Sequence, residues 1–256
     1  MADRTAARRR KQRLTLIIGG AAATAAVAVL VATALVNAGD SDDKPQSLPT
    51  PETLPAEPQQ PEPTFSDVSV PPPPKPIDFI SNAKKDKAPL SAGTLFPRES
   101  VTMSSRLYDR GSTASTKNCA SAVSGSLATA LNRNECTRVI RASFKRGGVA
   151  VTVGVAVFDT DVRATKAKQQ ANGNVQSLAG DGIPSFCRAT ACRLTANAIG
   201  RYAYFTVSGF TSGKAVTASD TKARQAGKDI ADYTFSRIVD RGEDQASAAA
   251  TAQSAN

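Results

Sequence analysis

The chain has 256 residues, a formal net charge of +10, and neither histidine nor tryptophan. Histidine is the commonest general base and metal ligand, so its absence argues against most hydrolases and metalloenzymes, and we predict a non-enzymatic protein without cofactor or metal. The charge is uneven. Residues 1–13 hold six basic residues and one acidic residue, residues 39–89 are net acidic, and residues 90–256 hold 21 basic and 12 acidic residues.

An uncharged run over residues 14–38 predicts a transmembrane helix. As a helix it would extend about 37 Å, enough to cross a hydrocarbon core of about 30 Å. Basic residues precede the run and aspartates follow it, so the positive-inside rule places residues 1–13 in the cytoplasm and the rest of the chain outside the cell membrane. A signal peptide cleaved after Ala38 is the competing interpretation, although signal-peptide apolar cores span only about 7–15 residues.

Thirteen of the fifteen prolines lie between Pro45 and Pro89. Proline fixes φ and removes a backbone donor, so residues 39–89 favour extended polyproline II and predict a disordered, semi-rigid spacer. The last residues, 243–256, lack large apolar side chains and predict a disordered tail. Between them, residues 90–242 are long enough to bury a core and predict one extracytoplasmic domain.

The first half of this domain predicts a strand near residues 100–108 and a helix over residues 119–131, capped by Asn118. Residues 137–145 alternate apolar and polar side chains, and residues 149–158 carry valines on one face and small residues on the other. This pair predicts a β-hairpin that turns at residues 146–148, with the second strand covered on both faces.

The second half predicts a helix over residues 161–170, capped by Thr160 or Asp159, rather than a cation site at those acidic residues. Strands over residues 193–198 and 201–210 follow, and a final helix runs from 221 to 240 with Gly242 ending it. The order β-α-β-β-α-β-β-α predicts an α+β domain, with a mixed or antiparallel sheet and helices on at least one face.

Four cysteines occur, and all lie in the predicted outer domain. An even number of cysteines in an oxidising compartment predicts two disulfides, for which three pairings exist. We favour Cys119–Cys136, and Cys187–Cys192 because of its close spacing. Neither pair has the spacing typical of a zinc or redox motif.

Basic side chains recur on the first strand of the hairpin, and two tyrosines lie on one face of a later strand. A basic surface with aromatic neighbours is typical of sites for anions, such as a wall polymer, lipid headgroups or an acidic protein. The alternative is a solvated face that keeps the domain soluble. The candidate anion-binding residues are Arg138, Arg141, Lys145, Arg146, Tyr202 and Tyr204.

Several stretches resemble uncharacterised single-pass envelope proteins of high-GC Gram-positive (actinobacterial) bacteria. They are ARRRKQR, the Ala/Val-rich anchor, the Pro/Glu-rich linker, NCASAVSGSLATAL, CTRVIRASF, VAVTVGVAVFDT, FCRATACRL and GRYAYFTVSGF. More distantly, a two-disulfide domain behind an anchor is similar to the extracellular sensor domains of mycobacterial receptor kinases. Neither resemblance implies a catalytic residue.

These observations predict a membrane-anchored envelope protein whose exported domain binds or senses an anionic component without catalysis. No nucleic-acid partner is expected, and the sequence leaves the oligomeric state open. One alternative is an exported hydrolase that uses serine or lysine. Another is an assembly partner of a different membrane protein, which would act through residues 14–38.

Overall fold

The structure, a computed structural model, describes residues 72–254. The strands are β1 Ser100–Met103, β2 Arg106–Thr116, β3 Val123–Gly125, β4 Arg138–Arg146, β5 Val149–Val157, β6 Gly173–Val175, β7 Arg193–Ile199 and β8 Tyr202–Phe210. The helices are α1 Pro76–Ile80, α2 Ala92–Leu95, a 3₁₀ turn Cys119–Ala122, α3 Leu127–Arg133, α4 Asp161–Gln170 and α5 Thr221–Ser254. Six strands form an antiparallel sheet in the order β1-β2-β4-β5-β8-β7, and β3 pairs with β6. The predicted α+β class is confirmed.

Strand β5 is buried along its whole length, as its sequence predicts. Its valines pack with α5 in one hydrophobic core, and Ala150 and Ala156 pack with α3 and α4 in the other. Helices therefore cover both faces of the sheet. The small face also admits β6, because a Cβ placed on Gly154 would lie 2.6 Å from Cγ2 of Val175.

The predicted hairpin is confirmed, since β4 and β5 pair in register and turn at Gly147 and Gly148, which both have positive φ. The pairing of β7 with β8 is also confirmed. Helix α4 begins after Thr160, whose hydroxyl accepts a hydrogen bond from the backbone N–H of Arg163. The Asp159–Asp161 segment therefore starts a helix, and no group of three or more Cys, Asp or Glu within residues 72–254 could hold a metal.

The helix predicted over residues 119–131 is wrong in its first half. That stretch forms the 3₁₀ turn and β3, and only its end is helical, in α3. Gly125 has a φ of 65°, which ends β3 and prevents one continuous helix. The strand predicted near residues 100–108 is instead the hairpin of β1 and β2.

Both predicted disulfides are confirmed. Cys119 bonds to Cys136, and Cys187 bonds to Cys192, with Cα–Cα distances of 6.3 Å and 5.9 Å. The first ties the 3₁₀ turn to the segment before β4. The second closes a short loop whose sulfurs lie against Gly209 of β8.

The end of the predicted spacer belongs to the domain. Residues 72–95, here called the N-terminal strap, carry Ile80 into the core beside α5, so the domain begins before residue 90. Asp86 anchors the strap, because its side chain is fully buried and accepts hydrogen bonds from Arg201, Arg241, Tyr202 and Gln245. Burial raises the pKa of Asp86, but these four hydrogen bonds outweigh that effect and hold the pKa below its ordinary value.

The predicted end of the last helix at Gly242 is also wrong. Helix α5 continues to Ser254, so most of the predicted disordered tail is helical. Gly242 is buried against the strap, where an added Cβ would lie 2.7 Å from the carbonyl oxygen of Pro76. The glycine is thus required for close packing of helix and strap, and it does not act as a helix terminator.

Within residues 72–254, no helix is long and apolar enough to cross a membrane. The predicted cytoplasmic segment 1–13, the transmembrane helix 14–38 and the first part of the spacer lie outside the described residues.

Candidate anion-binding site

The structure does not bring the candidate residues of β4 together. Strand alternation puts Arg138 and Arg146 on the face that packs against α5, and Arg141 and Lys145 on the opposite face. Arg138 and Arg146 are also at opposite ends of the strand. The four cations therefore belong to different surfaces.

Two of these cations support a neighbouring segment. Arg141 donates to the carbonyl oxygen of Gln176 at 3.2 Å, and Lys145 donates to the carbonyl oxygen of Gly182 at 3.3 Å. Burial lowers the pKa of Arg141. Both side chains hold the segment after β6 against the sheet.

The two candidate tyrosines are buried. Tyr202 is 0% exposed and donates to Asp86, whereas Tyr204 is 4% exposed and lies in the core under α5. Burial raises the pKa of both hydroxyls, that of Tyr204 to about 12. Neither ring offers a surface on which a ligand could stack.

Arg146 lines a cavity of about 350 Å³ that three separate chain segments build. The start of β2 contributes Arg106, and the β4–β5 turn contributes Arg146. The start of α5 contributes Lys222 and Arg224. The full lining is Arg106, Tyr108, Arg146, Gly147, Val149, Thr221, Lys222, Arg224, Gln225 and Ala226.

This cavity, here called the basic pocket, has a strong excess of positive charge. Arg146, Lys222 and Arg224 are exposed, and none of them makes an ion pair with any residue in the range 72–254. Only Arg106 is paired, with Asp229. Three cations therefore remain without a counter-charge from the described part of the chain.

Asp229 fixes the orientation of Arg106. The Arg106 Nε and Nη2 atoms donate to the two carboxylate oxygens at 2.6 Å and 2.9 Å, as a two-pronged pair. The Tyr108 hydroxyl donates at 2.6 Å and the Gln225 amide at 2.8 Å. Burial raises the pKa of Asp229, but these donors outweigh it and lower the pKa overall, so the carboxylate stays charged and Arg106 stays fixed.

The same carboxylate restrains the neighbouring tyrosine. Burial, and the hydrogen bond to Asp229, raise the pKa of Tyr108 to about 12. Tyr108 is 2% exposed and therefore forms the floor of the pocket, with its hydroxyl turned to the carboxylate.

Of the pocket's four cations, sequence reasoning found only Arg146. The sequence did contain a signal for two others. Lys222 and Arg224 lie in the first turn of α5, and that turn contains no acidic residue. The positive end of a helix dipole normally disfavours cations there. Asp220, which precedes the helix, bonds instead to the N–H and hydroxyl of Thr217, at 2.7 Å each. Arg106 gave no sequence signal, because its place in the pocket depends on the fold.

No family model, curated protein or solved structure matches this chain.

The serine–lysine arrangement expected of the alternative hydrolase is not seen in the described part of the chain. No serine hydroxyl there is hydrogen-bonded to a lysine amine. Ser143, one of two fully buried serines in that range, bonds to the hydroxyl of Thr152 and the carbonyl oxygen of Leu178, both at 2.7 Å. Its hydroxyl thus has a structural role between the sheet and the segment after β6.

Proposed function

We propose that the protein is a single-pass, membrane-anchored envelope protein whose exported domain binds an anionic envelope component without catalysis. The observation that carries this proposal is the basic pocket, where four cations converge on one cavity and only one has a carboxylate partner within residues 72–254. The uncharged run over residues 14–38 and the cysteines of the outer domain support the export part of the proposal.

The pocket favours a ligand group with several oxygens that share negative charge. Guanidinium groups bind phosphate and carboxylate through paired N–H donors, and such charge-assisted hydrogen bonds are the stronger class. Arg106 is pre-oriented by Asp229, so it loses little side-chain freedom on binding. A phosphate group on a wall polymer or lipid fits this chemistry better than a neutral sugar.

A retention experiment tests the proposal with the full-length protein and isolated cell-wall material. The test variant is Arg146→Ala combined with Arg224→Ala. The matched control is Lys166→Ala combined with Arg188→Ala, which removes the same charge from two exposed residues whose side chains make no hydrogen bond or ion pair with the described residues. Lys166 lies on α4, on the opposite side of the sheet from α5.

We expect retention by the wild type and the control at an ionic strength of about 0.01 M, and loss of retention near 1 M, where charge interactions are screened beyond roughly 3 Å. The test variant should be released at markedly lower salt than the control. Equal behaviour of the two variants would assign retention to net charge alone, and retention that salt does not alter would contradict the proposal.

A further inference from the structure

A second basic cavity lies at the other end of β4. Its volume is about 340 Å³. Arg146 is eight positions after Arg138, so at about 3.4 Å per residue the two ends of the strand lie about 27 Å apart. The lining is Leu90, Lys117, Thr137, Arg138, Val157 and Arg201, and it includes no acidic residue.

Arg201 is the residue of this second cavity whose side chain the fold holds in place. Its side chain is only 10% exposed, with Nε on Asp86 at 2.8 Å and Nη1 on the carbonyl oxygen of Phe158 at 2.9 Å. Its Nη2 has no acceptor within residues 72–254, and this atom is not fully enclosed by the protein. A rigidly held guanidinium with an unused N–H edge therefore lines the cavity.

The other two cations also have free donors. Arg138 uses Nη1 to donate to the carbonyl oxygen of Leu90 at 2.7 Å, and its remaining N–H groups have no acceptor in the described part of the chain. Lys117 is exposed, and its amine makes no hydrogen bond or ion pair there. Each cation can thus donate to a ligand without breaking a contact of the fold.

The carboxylate bonded to Arg201 does not neutralise this cavity. Asp86 carries one negative charge, which it shares between Arg201 and Arg241. The two arginines carry two positive charges against this one negative charge, and Lys117 and Arg138 add two more positive charges. An anion is the ligand class that such a cavity favours.

We propose that Lys117, Arg138 and Arg201 form a second binding site, separate from the basic pocket, for a single phosphate-type oxyanion. The open edge of Arg201 is the fixed donor, while Arg138 and Lys117 donate from the rim. Thr137, whose hydroxyl donates to the carbonyl oxygen of Val157 at 3.0 Å, marks the cavity wall. The two sites have no residue in common.

Site-resolved NMR of the full-length protein, titrated with inorganic phosphate, tests this inference. The backbone amides of Thr137 and Arg138 report on the second site, and those of Gly147 and Lys222 report on the basic pocket. We expect saturable shifts at Thr137 and Arg138. A wild type that shows no saturable shift at these two amides would overturn the second site.

Paired variants separate the two sites. Lys117→Ala with Arg138→Gln removes two charges and keeps an amide that can donate to Leu90, and it should weaken binding at Thr137 by about tenfold. Arg146→Ala with Arg224→Ala should leave binding at Thr137 unchanged. Equal weakening by both pairs would show general charge attraction, with no second site.

The single variant Lys117→Ala and the pattern of wild-type shifts separate the two sites further. Lys117→Ala alone removes an exposed side chain whose amine has no polar partner within residues 72–254, so we expect the fold to be preserved and binding at Thr137 to be about threefold weaker. No weakening in this variant would contradict the assignment of Lys117. Shifts at Thr137 without shifts at Gly147 or Lys222 would refute the proposed role of the basic pocket and leave the second site standing.

Discussion

Replacing Asp86 by asparagine should detach the N-terminal strap from the domain. The carboxylate is fully buried, and it is the only acidic partner of Arg201 and Arg241 in the described part of the chain. Those two side chains are 10% and 9% exposed, so the variant leaves two nearly buried cations without a counter-charge. Breaking a buried ion pair by removing one partner costs about 3–5 kcal/mol.

We expect a loss near the lower limit, about 3 kcal/mol, because the asparagine oxygen still accepts a hydrogen bond. With a urea dependence of about 2 kcal/mol per molar, the unfolding midpoint should fall by about 1.5 M. Tyrosine fluorescence can follow this transition, because all four tyrosines of the chain are buried within residues 72–254. The control is Asp78→Asn, an exposed residue of the same strap whose carboxylate has no partner in the described range.

Limited trypsin digestion gives a local measurement of the same change. The strap carries exposed lysines on both sides of Asp86, at Lys85 and Lys87. In Asp86→Asn we expect cleavage at these lysines before the rest of the domain is cut, because the strap opens locally. Cleavage and midpoint values equal to those of Asp78→Asn would refute the conclusion that Asp86 anchors the strap.

The pH dependence has a definite sign. The folded-state pKa of Asp86 is lower than its ordinary value of 3.8, so the unfolded chain binds the proton more readily. The stabilisation is therefore present above about pH 4 and is lost as the pH falls through the lower, folded-state pKa. Asp86→Asn should lose this contribution, so the acid-dependent fall in its stability should be smaller than that of the wild type.

Gly154→Ala should destabilise the domain by about 1–3 kcal/mol through overpacking against Val175, and adding Val175→Ala should restore part of that loss in urea unfolding. No partial recovery would refute the contact as the cause. Tyr233→Phe should raise the free energy of unfolding by up to about 1 kcal/mol, because the buried Tyr233 hydroxyl has no partner in the described residues; a clear loss of stability would contradict this. Since burial raises the pKa values of Tyr108 and Tyr204 to about 12, tyrosinate absorbance should stay low at pH 10, and stability should fall between about pH 10 and 12. Ordinary tyrosine ionisation near pH 10 in the folded protein would be inconsistent with that burial.

Sequence patterns predicted the elements whose signals are local. The alternation in β4 and β5, with glycines at the turn, fixed a hairpin that needs no distant partner to be recognised. The start of helix α4 was also predicted from a local signal, the capping side chain, which the structure shows to be that of Thr160. Both favoured disulfides are present, and for Cys187–Cys192 the close spacing was the local signal.

Errors arose where tertiary contacts override local preference. The stretch 119–131 has helical spacing, but Val123–Gly125 pairs with β6, which lies about fifty residues further along the chain. Gly242 looked like a helix end, although its lack of a side chain serves packing against the strap. The high proline content predicted a spacer where the strap lies. No local pattern indicated the strap, because burial of Ile80 and Asp86 depends on contacts with α5 and β8.

The candidate site shows the same limit. The basic residues of β4 were visible in the sequence, but the alternation of side chains along the strand divides them between two faces. The two candidate tyrosines are buried, so they are not part of the surface. Arg146 became part of a pocket only because α5 begins beside the β4–β5 turn. Such a convergence depends on the packing of a helix and a sheet, which residue spacing does not encode.

The most direct measurement of the central claim is calorimetric titration of the full-length protein with inorganic pyrophosphate at fixed low ionic strength. Lys117→Ala and Arg138→Gln are present in every protein compared, including the one that serves as wild type, so that the second site contributes little to the heat. If the basic pocket binds anions, Kd should rise about tenfold or more in Arg146→Ala with Arg224→Ala. It should stay near the wild-type value in Lys166→Ala with Arg188→Ala, which has the same net charge. Equal Kd values in the two double variants, or no heat of binding in the wild type, would contradict the claim that the basic pocket is an anion-binding site.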